Sequence, residues 1–164
     1  HLRGTAVVAT TWGQWASRSR LLAAGLVEMG LEPYNVSTGI NCILSQRLAR
    51  RICSRCITDY TPTERELKKV RKTMPDFDPG EHELRTGAGC DFCNGGYKGR
   101  IGIYELLVVN ADIKRLISNN ATDSDIRDAA VRNGMKTLRR AGLDLVYQGL
   151  TSLTEVLSVT DVMH

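Results

Sequence analysis

Two Cys-x-x-Cys pairs, Cys53-Ser-Arg-Cys56 and Cys90-Asp-Phe-Cys93, separated by a 33-residue spacer, constrain this chain more than any other feature. Each pair sets two sulfurs on one tight turn, and two such knuckles complete a tetrahedron of thiolates around a metal ion. Gly87, Gly89, Gly95 and Gly96 flank the second pair and let the backbone wrap closely. Protein fills all four positions, leaving none for water, so the expected ion is a structural zinc rather than a catalytic one. Such an ion contributes on the order of 10 kcal/mol to local folding. The spacer, residues 57–89, has few large apolar residues, so its folding is expected to depend on the metal.

Other chemistries use the same residues. A Cys-x-x-Cys pair can cycle between dithiol and disulfide, although two pairs without a thioredoxin-like βαβ context argue against it. Iron on four thiolates shares the geometry. A stand-alone zinc ribbon that grips nucleic acid is the alternative function. It draws on nine basic against three acidic residues between Asn41 and Lys72. The knuckles offer only Phe92 as a stacking platform, whereas single-strand recognition wants several, so a nucleic-acid partner is not expected. The fifth cysteine, Cys42, lies among Ile40, Ile43 and Leu44 and reads as a small buried hydrophobe. An odd cysteine count points to a reducing compartment.

At 164 residues, with 42% hydrophobic and 24% charged, the chain has the balance of a globular domain that buries a core. No apolar run approaches the roughly 18 residues of a membrane span, and the first residues lack a secretory leader. The chain starts at His1, as a fragment of a longer protein would. A net charge of +4 is too mild to demand a nucleic-acid partner.

Along the chain, Thr5–Thr11 is short and β-branched, as in a buried strand. Ala16–Met29, rich in Leu and Ala and stopped by Gly30, predicts a helix. Val36, Ile40, Leu44 and Leu48 recur every four residues and predict a second helix with an apolar stripe and a basic face of Arg47, Arg50 and Arg51. Thr63 with Glu66 has capping-box spacing and predicts a short basic helix over Glu64–Lys72, broken by Pro75, Pro79 and Gly80. After a tight turn at Gly95-Gly96, Arg100–Val109 predicts a strand with Ile101 and Ile103 on one side and Tyr104 and Leu106 on the other. Four helices follow: Ala111–Ile117, one opened by Thr122 with Asp125 and ending near Gly134, Lys136–Gln148, and one opened by Ser152 with Glu155 and running through Val159.

No catalytic constellation is present. The 164 residues contain no Gly-x-x-x-x-Gly-Lys-Ser/Thr loop, no Gly-x-Ser-x-Gly elbow and no His-Glu-x-x-His pair. The three histidines are His1, His164 and His82, the last in an acidic loop where a solvated role is expected. No catalytic and no nucleotide-binding residue is assigned, and no ATP turnover is expected from this chain alone.

Four blocks stand in order: Met29–Ser37 (MGLEPYNVS), Ser45–Cys53 (SQRLARRIC), Gly89–Leu107 (GCDFCNGGYKGRIGIYELL) and Gly134–Leu143 (GMKTLRRAGL). Together they resemble the C-terminal part of the type II secretion and type IV pilus assembly ATPases, from about Leu26 to Thr160. That resemblance implies an α/β fold, the C-terminal piece of a RecA-like motor domain with an inserted tetracysteine zinc module and a helical tail. It implies the boundaries 1–52 for a partial RecA-like segment, 53–98 for the zinc module, and 99–164 for a strand and helical subdomain. It places Cys53, Cys56, Cys90 and Cys93 on the module's four ligand positions. It implies a hexameric cytoplasmic motor that meets its fellow subunits and an inner-membrane platform protein, with ATP and Mg2+ held by segments upstream of those present here. Two features depart from the family. No histidine stands in Ala9–Gln14, where the family carries one, and Asn94-Gly95-Gly96-Tyr97 is one residue short.

Overall fold

The computed structural model describes residues 7–9, 30, 39–75, 77–80 and 83–161. The helix expected over Ala16–Met29, Thr10–Gln14 and all three histidines lie outside the described residues.

Three strands form one sheet in the order β1-β2-β5: β1 (Val7–Ala9), β2 (Cys42–Ile52) and β5 (Tyr97–Val108). β1 runs parallel to β2, with Val7 opposite Ile43 and Ala9 opposite Ser45. β2 and β5 run antiparallel: the Val109 N–H donates to the Asn41 carbonyl at one end, and the Cys53 N–H to the Gly96 carbonyl at the other. A separate hairpin pairs β3 (Ile57–Asp59) with β4 (Arg85–Gly87).

β2 overturns the helix expected at Ile40, Leu44 and Leu48. Ile43, Ser45 and Ala49 are buried, whereas Leu44 is half-buried and Leu48 is 47% exposed. A recurrence of four is also a multiple of two, so the same spacing lines one face of a strand. Within β2 that face, with Leu44 and Leu48, is the outer one, while Ile40 just before the strand is buried and the inner face carries Ile43, Ser45 and Ala49. Cys42 is half-buried rather than buried.

The chain divides into two compact units, one holding the described part of His1–Gln46 with Tyr104–Thr137, the other Arg47–Ile103 with Leu138–Asp161. In the first, α2 (Ala111–Ser118) and α3 (Asp123–Arg132) bury Ile113, Ile117, Ile126 and Ala129 with Ile43 and Leu107. The expected capping at Thr122 is present in full: its hydroxyl accepts from the Asp125 N–H and the Asp125 carboxylate accepts from the Thr122 N–H. β5 alternates as expected, with Ile103 and Leu107 buried and Tyr104 and Leu106 exposed.

In the second unit, α1 (Glu64–Arg71), α4 (Leu138–Tyr147) and α5 (Leu153–Thr160) share a core. Thr63 and Glu66 close the capping box that starts α1. At Gly142 α4 packs closely on α5, since a Cβ there would stand 2.6 Å from Val156 Cγ1. The spacer is not short of a core. Leu67, Val70, Met74, Phe77 and Leu84 are all buried, and the Phe77 ring stacks on Tyr147 at 6.0 Å. Counting the spacer's own apolar residues misses this, because these side chains fill a core completed by residues 138–161, far away in the chain.

Candidate metal centre

Each knuckle is a single turn closed by its own backbone. The Cys56 N–H donates to the Cys53 carbonyl (3.3 Å), and the Cys93 N–H to the Cys90 carbonyl (3.1 Å). Such turns put both sulfurs of a pair on the same side. The β3–β4 hairpin then carries the chain out from the first knuckle and back to the second, and the Ala88 N–H donates to the Cys56 carbonyl (2.8 Å). β2 ends at Ile52, one residue before Cys53, so the sheet fixes the position of the first knuckle.

The turns meet through glycine. A Cβ on Gly87 would lie 2.0 Å from the Gly96 carbonyl oxygen, and one on Gly96 would lie 2.3 Å from that of Gly87. Gly96 also has φ +91°, and Gly95 φ +55°, as the expected tight turn requires. Asn94 and Tyr97 exchange two backbone bonds across that turn, at 3.0 and 3.1 Å.

The four Sγ atoms of Cys53, Cys56, Cys90 and Cys93 lie within 4.8 Å of one another. Cys53–Cys90 is 3.9 Å, Cys56–Cys93 3.7 Å and Cys90–Cys93 3.6 Å. A tetrahedron with metal–sulfur bonds of about 2.3 Å has sulfur–sulfur edges of about 3.8 Å. A disulfide would need about 2.05 Å. The donor set therefore fits a tetrahedral thiolate-bound ion such as zinc, and these four cysteines could hold one.

The thiols are not equivalent. Desolvation pushes the Cys56 thiol up to about 12. At Cys93 desolvation pushes the same way but is outweighed by bonds from the Cys90 and Gly96 backbone N–H groups, which draw it down to about 7. The Cys90 N–H reaches Cys93 Sγ at 3.3 Å. Of Cys56 and Cys93, Cys93 is therefore the more acidic thiol, and an ion bound here would take both as thiolates.

Around the second knuckle stands a polar cluster that sequence reasoning did not assemble. The Tyr97 hydroxyl pairs with Ser152 Oγ at 2.7 Å, and the Arg50 guanidinium sits 4.2 Å over the Tyr97 ring. Arg50 donates to the Glu155 carboxylate through its backbone N–H (3.0 Å), Nε (3.0 Å) and Nη2 (2.8 Å). Thr151 Oγ1 donates to the Arg50 carbonyl at 2.8 Å. The Glu155 side chain is only 9% exposed. Desolvation pushes its carboxyl up, but the Arg50 bonds outweigh that and hold it below its ordinary 4.5. Ser152 caps α5 through the Glu155 N–H, while the Glu155 carboxylate goes to Arg50 instead of closing a capping box. Arg50, expected on a free basic face, is thus paired with Glu155, although its own side chain stays 57% exposed. Lys69 of α1 pairs likewise with Asp161, which also accepts from Arg139 Nη2 at 2.6 Å.

Comparison with known proteins follows the same residues. The profile of the type II/IV secretion system protein family matches residues 18–158. The chain is 39% identical to the type IV pilus assembly ATPase PilB of Thermus thermophilus over 160 residues, 97% of this chain and 17% of that protein. It is 38% identical to PilB of Acinetobacter baylyi over 82% of this chain and 23% of that protein. The type II secretion system ATPase E of Vibrio cholerae is 37% identical over 82% of this chain and 26% of that protein. The chain therefore spans about a sixth to a quarter of the length of the curated relatives it matches.

Proposed function

Because this chain belongs to the type II/IV secretion system protein family, we propose that it is the zinc-carrying C-terminal region of a type II secretion or type IV pilus assembly motor. The observation that carries the reading is the convergence of the Cys53, Cys56, Cys90 and Cys93 sulfurs to within 4.8 Å in a chain whose relatives are named as such ATPases. These four cysteines hold the zinc. When bound, the ion cross-links two turns that are far apart in the chain.

What this chain's own residues do is structural. Cys53 continues β2, and Tyr97 opens β5 and is anchored by Arg50 and Ser152, so the centre ties both strands to the start of α5. This stiffens the region for transmitting motion within a hexamer, with residues 53–98 as the zinc module between a RecA-like segment (1–52) and a strand with helical subdomain (99–164). ATP and Mg2+ are bound by parts of the motor other than this region, which carries no phosphate-binding loop motif. Its partners are neighbouring subunits and an inner-membrane platform protein, on the cytoplasmic side. Among the described residues no helix is long and apolar enough to cross a membrane.

The test is metal content per freshly purified chain together with a thiol titration. One zinc, with only Cys42 readily reactive, is the expected result. Two disulfides and no metal would overturn the reading, and iron in place of zinc would correct it.

A further inference from the structure

Arg55 and Phe92 hold the same place in the two knuckles, each the residue just before the second cysteine. Phe92 is 57% exposed, so burial does not explain its position. The Arg55 guanidinium carbon lies 3.8 Å from the Phe92 ring centroid, well inside cation–π range. The contact therefore joins one knuckle to the other on the outside of the sulfur cluster, through side chains other than the cysteines themselves.

Each knuckle supplies two of the four sulfurs, so an ion leaves when the knuckles part, and parting them separates Arg55 from Phe92. A divalent ion on four thiolates also carries a net charge of about −2, which a guanidinium one residue from Cys56 offsets. We propose that Arg55 and Phe92 form a staple across the two knuckles that holds the metal centre shut and slows loss of its ion. This rests on the metal-centre reading above. Both are positioning residues, acting on the ion through the cysteines.

The test loads the whole chain with one equivalent of Zn2+ and follows its release to excess 4-(2-pyridylazo)resorcinol. Phe92→Ala and Arg55→Ala are each expected to release the ion about two- to fivefold faster, the range for an exposed cation–π contact. Both should still bind one Zn2+ per chain, and the double variant should be no faster than the faster single one. Phe92→Leu, which keeps apolar bulk and loses the π face, should behave like Phe92→Ala. Unchanged release from Phe92→Ala, wild-type release from Phe92→Leu, or single effects that multiply would each overturn the staple. A wild-type chain that holds no Zn2+ overturns the metal centre itself, and the staple with it.

Discussion

Gly95 and Gly96 are neighbours in one turn and both have positive φ, yet substitution should separate them sharply. At Gly95 nothing lies within 4 Å of where a Cβ would stand, so alanine meets only the intrinsic left-handed penalty, about 1 kcal/mol. At Gly96 the same methyl would stand 2.3 Å from the Gly87 carbonyl oxygen, a backbone atom that cannot rotate away. The Gly96 carbonyl also accepts from the Cys53 N–H, so displacing it moves one of the four clustered cysteines. Gly96→Ala is expected to cost on the order of 4 kcal/mol and to lose bound metal, measured by denaturant unfolding and metal analysis. Gly95→Ala should keep its metal. Equal effects at the two sites would show that turn conformation, not close approach, governs this corner. The convergence of the four cysteines was legible in the sequence because each Cys-x-x-Cys pair is a local spacing. The Gly87–Gly96 contact was not, because it depends on where a hairpin returns the chain.

The elements whose boundaries were legible are those that cap themselves. Thr63 with Glu66 and Thr122 with Asp125 close their boxes within four residues, and α1 and α3 start where expected. α5 likewise starts where Ser152 predicts, although Glu155 answers to Arg50, 105 residues away, instead of closing the box, whereas β2 was misread because its spacing of four fits a strand as well as a helix. The Arg50–Glu155 pair carries its own prediction. Its folded carboxyl lies below the ordinary 4.5, so the folded chain binds fewer protons there than the unfolded chain does. The stability it gives is complete above 4.5 and is lost as pH falls through the folded value. Glu155→Gln should be destabilised by about 1.5–3 kcal/mol at neutral pH, the worth of a hydrogen bond to a charged group. The gap to wild type in unfolding free energy should narrow on acidification below 4.5. A gap that stays constant with pH would mean that shape, not charge, holds β2 to α5. Arg50→Glu is expected to unfold this corner for the same reason, since it would set two carboxylates face to face.

At the scale of the whole molecule the question is how far the metal's influence reaches. The spacer buries Leu67, Val70, Met74, Phe77 and Leu84, and α1 is fastened to α5 by Glu66 through Thr154 Oγ1 (2.9 Å) and by Lys69 through Asp161. None of these contacts uses a cysteine. The core of the other unit, built on Ile43, Leu107, Ile113 and Ile126, uses none either. The knuckles lack such support: around Cys90 the residues from Ala88 to Asn94 are exposed or half-buried, and what closes them is sulfur, a few backbone bonds and the Arg55–Phe92 contact. Removing the ion should therefore open a local unit rather than unfold the chain, since regions with few buried contacts open at low free energy. In hydrogen exchange of the chelated chain, amides of Cys53–Cys56 and Gly87–Tyr97 are expected to lose protection. Those of α1, α4 and α5, and of α2 and α3, should keep theirs. Loss of protection in α1 and α5 to the same degree would show that the ion supports the whole unit, as a count of apolar residues in the spacer alone would have it. Retained protection at Gly87–Tyr97 would show that the glycine contact and the Tyr97 anchor hold the knuckles closed without it.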